Sequence, residues 1–136
     1  LNMENGNSQL VDVAEEAHLV TVRNIARGYA KSMNFNLVEE TKLVTAVSEL
    51  SRNMIIYAGG GSMKIEKVSL EGKNGIRITF SDSGPGIKDL DLAMQDGYST
   101  NNGLGLGLPG TKRLVSQMEI ASESGKGTRI VITKWI

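Results

Sequence analysis

The sequence predicts an α+β fold of two layers: a mainly antiparallel or mixed sheet covered by helices on one face. Three observations predict it. Two long segments near the start carry apolar residues at helical spacing. The pattern changes to alternation after Gly59-Gly60-Gly61, and hairpin-length turns join most of the later strands. The 136 residues suit one hydrophobic core, so a single domain over 1–136 is expected.

The elements follow in order. Gln9–Val13 reads as a short strand. From Ala14 to Met33, apolar residues at 17, 19, 20, 22, 25, 26, 29, 30 and 33 give a helical period. Leu37 to Ala58 is the stronger helix, with apolar positions 43, 44, 46, 47, 50, 54, 55 and 58, and its glycine run is a stop signal. Met63 to Leu70 alternates, but the phase slips between Ile65 and Val68, which predicts a bulge. Gly72-Lys73-Asn74-Gly75 is a turn, and Ile76, Ile78 and Phe80 form the second strand of a hairpin. Asp82 to Gly107 is polar and glycine-rich, a length and composition associated with function. Pro109–Gln117 reads as a helix, and Met118–Ser122 and Thr128–Trp135 as two final strands around Gly125-Lys126-Gly127.

Composition excludes several classes. Lys+Arg and Asp+Glu both number 15, so there is no general attraction to nucleic acid or an anionic membrane. With no cysteine there can be no disulfide, thiolate metal site or thiol nucleophile, which agrees with a cytoplasmic location. No apolar stretch approaches a membrane span, and the polar start has no signal-peptide core.

Four elements carry chemistry. Glu49 and Asn53 are four apart on the stronger helix, beside its apolar stripe, where a polar pair suits the rim of a cavity. Their oxygens are hard ligands of the kind Mg²⁺ takes alongside phosphates, and a carboxylate there can accept a proton. The ordinary alternative is a surface pair on an amphipathic helix. Asp82-Ser83-Gly84-Pro85-Gly86 follows a strand; its carboxylate can accept from an exocyclic amine such as adenine's, and its glycines admit a flat ligand. The alternative is a plain Asp-Gly turn. Gly103 to Gly110 alternates glycine with leucine, exposing backbone N–H groups to oxyanions, with Pro109 at the expected helix start. The alternative is a surface loop. Gly105, Gly107 and Gly110 spell a dinucleotide fingerprint, but no strand precedes them and no doubly wound sheet follows, so that reading is rejected. Gly127-Thr128 opens the last strand and brings a hydroxyl to the same region.

In this order and spacing the four elements resemble the GHKL (Bergerat-fold) ATPase/kinase superfamily, over roughly residues 10 to 135. Glu49-Leu50-Ser51-Arg52-Asn53 is similar to its N box, Asp82 to Gly86 to its D-x-G-x-G box, and Gly103 to Gly110 to its second glycine box. Ala46 to Asn53, Asp96-Gly97-Tyr98-Ser99-Thr100, Lys112-Arg113-Leu114 and Lys134-Trp135 carry a finer resemblance to anti-sigma-type serine/threonine kinases, the stressosome switch kinases among them. The resemblance implies ATP and Mg²⁺. It makes Asn53 the Mg²⁺ ligand, Glu49 the general base and Asp82 the reader of the adenine amine, supported by Thr128. It has Gly84 and Gly86 shape the base pocket. Gly103, Gly105 and Gly107 would wrap the phosphates, with Leu108 beside them, and residues near Asp89–Asn102 would form a lid. It implies STAS-domain scaffold or antagonist proteins as substrates and a downstream output protein such as a PP2C-type phosphatase. Two other readings stay open: an ATP-gated binding switch with little catalysis, and an isolated histidine-kinase catalytic domain. His18, the only histidine, reads as structural or exposed rather than as a phospho-acceptor.

Overall fold

The computed structural model describes residues 8–87, 89, 93–94 and 107–136. β1 (Ser8–Val13) leads into α1 (Ala17–Ser32) and α2 (Leu37–Ala58). The hairpin β2 (Gly61–Leu70) and β3 (Lys73–Asp82) follows. After the long connection come α3 (Leu108–Lys112), β4 (Gln117–Glu123) and β5 (Gly127–Trp135). The five strands form one sheet in the order β1-β2-β3-β5-β4, and every adjacent pair is antiparallel.

Each helix end has a local cause. His18 Nδ1 accepts from the Ala14 and Glu15 N–H groups at 2.9 and 3.3 Å, tying down the entry to α1. The only histidine is thus a structural residue, as its edge position suggested. Asn34 takes φ 62 at the far end, and Phe35 N–H returns to the Ala30 carbonyl, so the chain turns out of the helix. Asn36 caps α2 by accepting from Glu39 N–H at 2.9 Å, and Glu39 and Glu40 stand in the first turn, where the helix dipole favours acids. Gly59, at φ 76, ends it.

The core lies between the helices and one sheet face. Leu43, Val47, Leu50 and Met54 of α2, with Val22 and Ala26 of α1, meet Met63, Ile65, Ile76, Ile78, Phe80, Ile130 and Ile132. On each strand these residues are two apart, which places them on one face.

Two expectations are corrected. No bulge interrupts β2: its pairing with β3 runs unbroken from Ser62↔Ser81 to Leu70↔Lys73. The phase slip is a change of buried face. Glu66 and Val68 point away from the helices and are buried there by other means. Arg77 Nε donates to Glu66 Oε2 at 3.0 Å. Gly75, between Val68 and Trp135 in the ladder, leaves room for the indole; a Cβ there would lie 2.6 Å from Trp135 Cε3. The helix expected over Pro109–Gln117 is only α3. Ser116 N–H donates to the Thr133 carbonyl, and Ser116 Oγ accepts from Trp135 N–H, so pairing with β5 captures the segment first.

Candidate functional site

The C-terminal half of α2, the end of β3, the start of β5 and the entry to α3 enclose a hollow of about 290 Å³. Its walls are apolar: Leu50, Met54, Phe80, Leu108 and Ile130. Asn53 and Asp82 both line it, one from the helix layer and one from the sheet.

Asp82 is held by backbone. Its Oδ1 accepts from Gly84 N–H at 2.9 Å and from Thr128 N–H at 3.2 Å. Two N–H groups fix the carboxylate plane, and Oδ2 has no partner among the described residues. A carboxylate oxygen facing an apolar hollow is an acceptor in search of a donor. Thr128 lines the same wall and pairs directly with Asp82 across β3 and β5. Its Oγ1 is 2.8 Å from Ser122 Oγ.

Ser122 was not singled out from the sequence, and it organises this end. Its Oγ accepts from Ile87 N–H at 2.7 Å, lies 3.2 Å from the Gly127 carbonyl, and meets the Thr128 hydroxyl. It therefore pins the loop after β3 to the β4–β5 turn. The available signal was indirect: in a two-strand hairpin around Gly125, Ser122 falls opposite Thr128. Gly86 lines the hollow at φ 78, and a Cβ on it would collide with the Glu123 carbonyl. Gly84 does not line the hollow; it packs against Ala58 at the end of α2, where a side chain would not fit.

Glu49 stands one turn before Asn53, outside the hollow's apolar wall. A Cβ on Gly107 would lie 3.4 Å from Glu49 Oε2, so the carboxylate abuts the point where the chain re-enters at α3. Glu49 carries no hydrogen bond or ion pair among the described residues. Gly107 itself is left-handed, at φ 66, and its carbonyl accepts from both Thr111 N–H and Thr111 Oγ1 at 2.9 Å. Leu108 is fully buried and anchors this entry in the core. Gly103, Gly105, Tyr98 and most of the expected lid lie outside the described residues; within that stretch Ala93 is buried in the core.

A two-layer antiparallel domain with an acid and a carboxamide facing one apolar hollow defines a class of nucleotide-binding domain. The description "Histidine kinase-, DNA gyrase B-, and HSP90-like ATPase" matches residues 38–135, and the chain belongs to that family. Within it the chain is similar to the serine/threonine-protein kinase RsbT of Bacillus subtilis, 44% identical over 93% of this chain and 95% of that protein. It is also similar to the anti-sigma F factor of a Thermoanaerobacter species, 31% identical over 84% of this chain and 82% of that one. The chain is accordingly a serine/threonine-kinase-type member of this family, with ATP as its nucleotide. Two solved structures share the fold. The RsbU and RsbW domains of a Mycobacterium tuberculosis protein match at TM-score 0.63 and 18% identity, over 94% of this chain and 32% of that one. The catalytic domain of histidine kinase ThkA matches at TM-score 0.51 and 17% identity, over 93% and 95%. Among the described residues no helix is long and apolar enough to cross a membrane.

Proposed function

We propose that this chain is a single-domain, ATP-dependent serine/threonine kinase of a partner-switching pathway in the cytoplasm. Its acceptors are STAS-domain scaffold or antagonist proteins, and its output on release is a protein such as a PP2C-type phosphatase. The observation that carries the reading is the shared hollow: Asn53 and Asp82 line it together, with Glu49 one turn away and without a partner among the described residues.

The residues fit an adenine nucleotide. The apolar wall accommodates a flat base, and the unpartnered Asp82 oxygen accepts from its exocyclic amine. The Thr128 hydroxyl adds a second polar contact. Gly86 lets the backbone approach the base closely. Asn53 lines the hollow from α2, where its amide oxygen would hold Mg²⁺. When bound, Mg²⁺ supplies charge neutralisation on the phosphates. No cluster of three acidic or histidine side chains exists among the described residues, which suits a metal held largely by phosphate and water. The backbone N–H groups of Gly103, Gly105 and Gly107 would receive the phosphate oxygens.

Phosphoryl transfer relies on positioning and charge stabilisation. The acceptor Ser or Thr oxygen attacks the γ-phosphorus, its proton passes to Glu49, and ADP leaves. A carboxylate without a partner among the described residues is free to take that proton. Glu49→Gln keeps the shape and removes the base. With labelled ATP and a STAS-domain acceptor, the variant should bind nucleotide normally and transfer label about 10²–10⁴-fold more slowly. Transfer at the wild-type rate would remove Glu49 from the mechanism.

The similarity to anti-sigma F factors supports a second reading, an ATP-gated binding switch with little catalysis. The same assay separates the two: nucleotide-dependent binding of the partner without label transfer favours the switch.

A further inference from the structure

Asp82, Thr128 and Ser122 stand in one row across the sheet, each paired with the next on β3, β5 and β4. Residues directly opposite one another on paired strands share a face of the sheet. Asp82 and Thr128 line the nucleotide hollow, and Ser122, one strand further out, does not. Hydrogen bonds join the row: Thr128 N–H donates to Asp82 Oδ1 at 3.2 Å, and the Thr128 and Ser122 hydroxyls are 2.8 Å apart.

Which of the two hydroxyls donates decides what the hollow can read. A hydroxyl has a single proton to give. Ser122 Oγ receives Ile87 N–H at 2.7 Å, which occupies a lone pair. Its own proton has two acceptors in reach, Thr128 Oγ1 at 2.8 Å and the Gly127 carbonyl at 3.2 Å. O–H···O bonds run about 2.5–3.0 Å, so Thr128 is the acceptor at bonding length and the carbonyl is the weaker contact. Donation from Ser122 leaves the Thr128 proton to point into the hollow. A chain of donors then runs from Ile87 N–H through Ser122 to Thr128, and each bond polarises the next.

The hollow thereby presents an acceptor, Asp82 Oδ2, beside a donor, the Thr128 hydroxyl. The edge of adenine is the complement: its amine donates, and the adjacent ring nitrogen N1 accepts. Guanine and hypoxanthine carry the reverse pattern, a carbonyl beside an N–H. A site built to bond a given pattern rejects the other, because its own polar groups are then left unpaired.

We propose that Ser122 is a specificity-determining positioning residue, which touches no ligand itself and holds the Thr128 hydroxyl as a donor toward adenine N1. This role rests on the hollow being the adenine site.

The test is calorimetric titration of the full chain with Mg²⁺-ATP and with Mg²⁺-1-deaza-ATP, which keeps the amine and replaces N1 by C–H. The wild type should prefer ATP about tenfold, the worth of one hydrogen bond. Thr128→Val should lose nearly all of that preference. Ser122→Ala also strips Ile87 N–H of its acceptor, and a looser loop should weaken both nucleotides alike. Its preference for ATP should fall about threefold or more besides, a change that loop-pinning alone would not produce. Ser122→Cys, which fills the same space but donates poorly, should show the same fall with less loss of stability. Added to Thr128→Val, Ser122→Ala should leave the preference where it is. Equal binding of the two nucleotides by the wild type would overturn the proposal and leave Asp82 as the reader of the amine. Ser122 variants that bind both more weakly yet keep the full preference would overturn it in favour of a purely structural serine. Binding of neither nucleotide by the wild type would overturn the adenine site itself, and the role of Ser122 with it.

Discussion

The two ends of the nucleotide hollow are built differently. At the sheet end the polar groups are held in place: Asp82 Oδ1 takes two backbone N–H groups, which fixes the carboxylate and leaves Oδ2 to accept, and Ser122 joins Ile87, Gly127 and Thr128. At the helix end Glu49 has no partner among the described residues and rests against Gly107. On the proposed function, the difference separates recognition from chemistry. A base-reading acceptor gains from being fixed before the ligand arrives, because no reorganisation is then needed on binding. A general base gains from an open lone pair, because an internal hydrogen bond would compete with the substrate proton.

The largest effect that sharpens this contrast is the loss of transfer in Glu49→Gln, with nucleotide affinity preserved. If the variant lost affinity and transfer together, the division between the two ends would fail. Next in size is Gly86→Ala at the fixed end. Its left-handed φ and the nearby Glu123 carbonyl leave no room for a methyl group, so a stability loss of at least about 1–3 kcal/mol is expected in denaturant or thermal melts. Gly110, where a Cβ meets nothing within 4 Å, serves as the control: Gly110→Ala should change stability little. Equal melting of the two variants would show that the loop after β3 is not rigid.

The smallest effect concerns pH. Lys134, buried on β5, holds Glu39 at 2.8 Å and donates to the Leu114 carbonyl at 2.9 Å, linking the segment after α3 to the start of α2. The hydrogen bond and charge of Lys134 hold the Glu39 carboxyl below its ordinary value of 4.5. A lowered carboxylate pKa stabilises the fold above the unfolded value, and that contribution is lost as pH falls through the folded one. Melting temperatures should therefore decline below about pH 4.5, and the decline should be shallower in Glu39→Gln. Identical pH profiles would discard the link.

Much of this was legible in the sequence, for physical reasons. Periodicity marked α1, α2 and the β2–β3 hairpin because half-buried elements must repeat their apolar residues at their own pitch. Asn53 and Asp82 were brought together by the resemblance to a known family, in which motifs of this kind serve one nucleotide site. Burial on the outer face of β2 was not legible: Glu66 and Val68 are covered by Arg77 and Trp135, and that depends on pairing across three strands. The early end of α3 was not foreseen because the competition came from β5, far along the chain. Ser122 was missed because a lone serine on a strand gains its role only when Ile87 and Thr128 are folded against it. Gly84 illustrates the limit of motif reading: it shares a box with Gly86, but serves the contact with Ala58.

The most direct measurement of the central claim is calorimetric titration of wild type and Asp82→Asn with Mg²⁺-ATP and with Mg²⁺-ITP, whose base carries a carbonyl in place of the amine. The wild type should bind ATP and strongly prefer it to ITP. The variant should lose roughly 5–150-fold in ATP affinity and most of the preference, the result of unpairing one buried hydrogen bond. Wild type that binds the two nucleotides equally, or a variant that keeps its preference for ATP, would contradict Asp82 as the base-reading group.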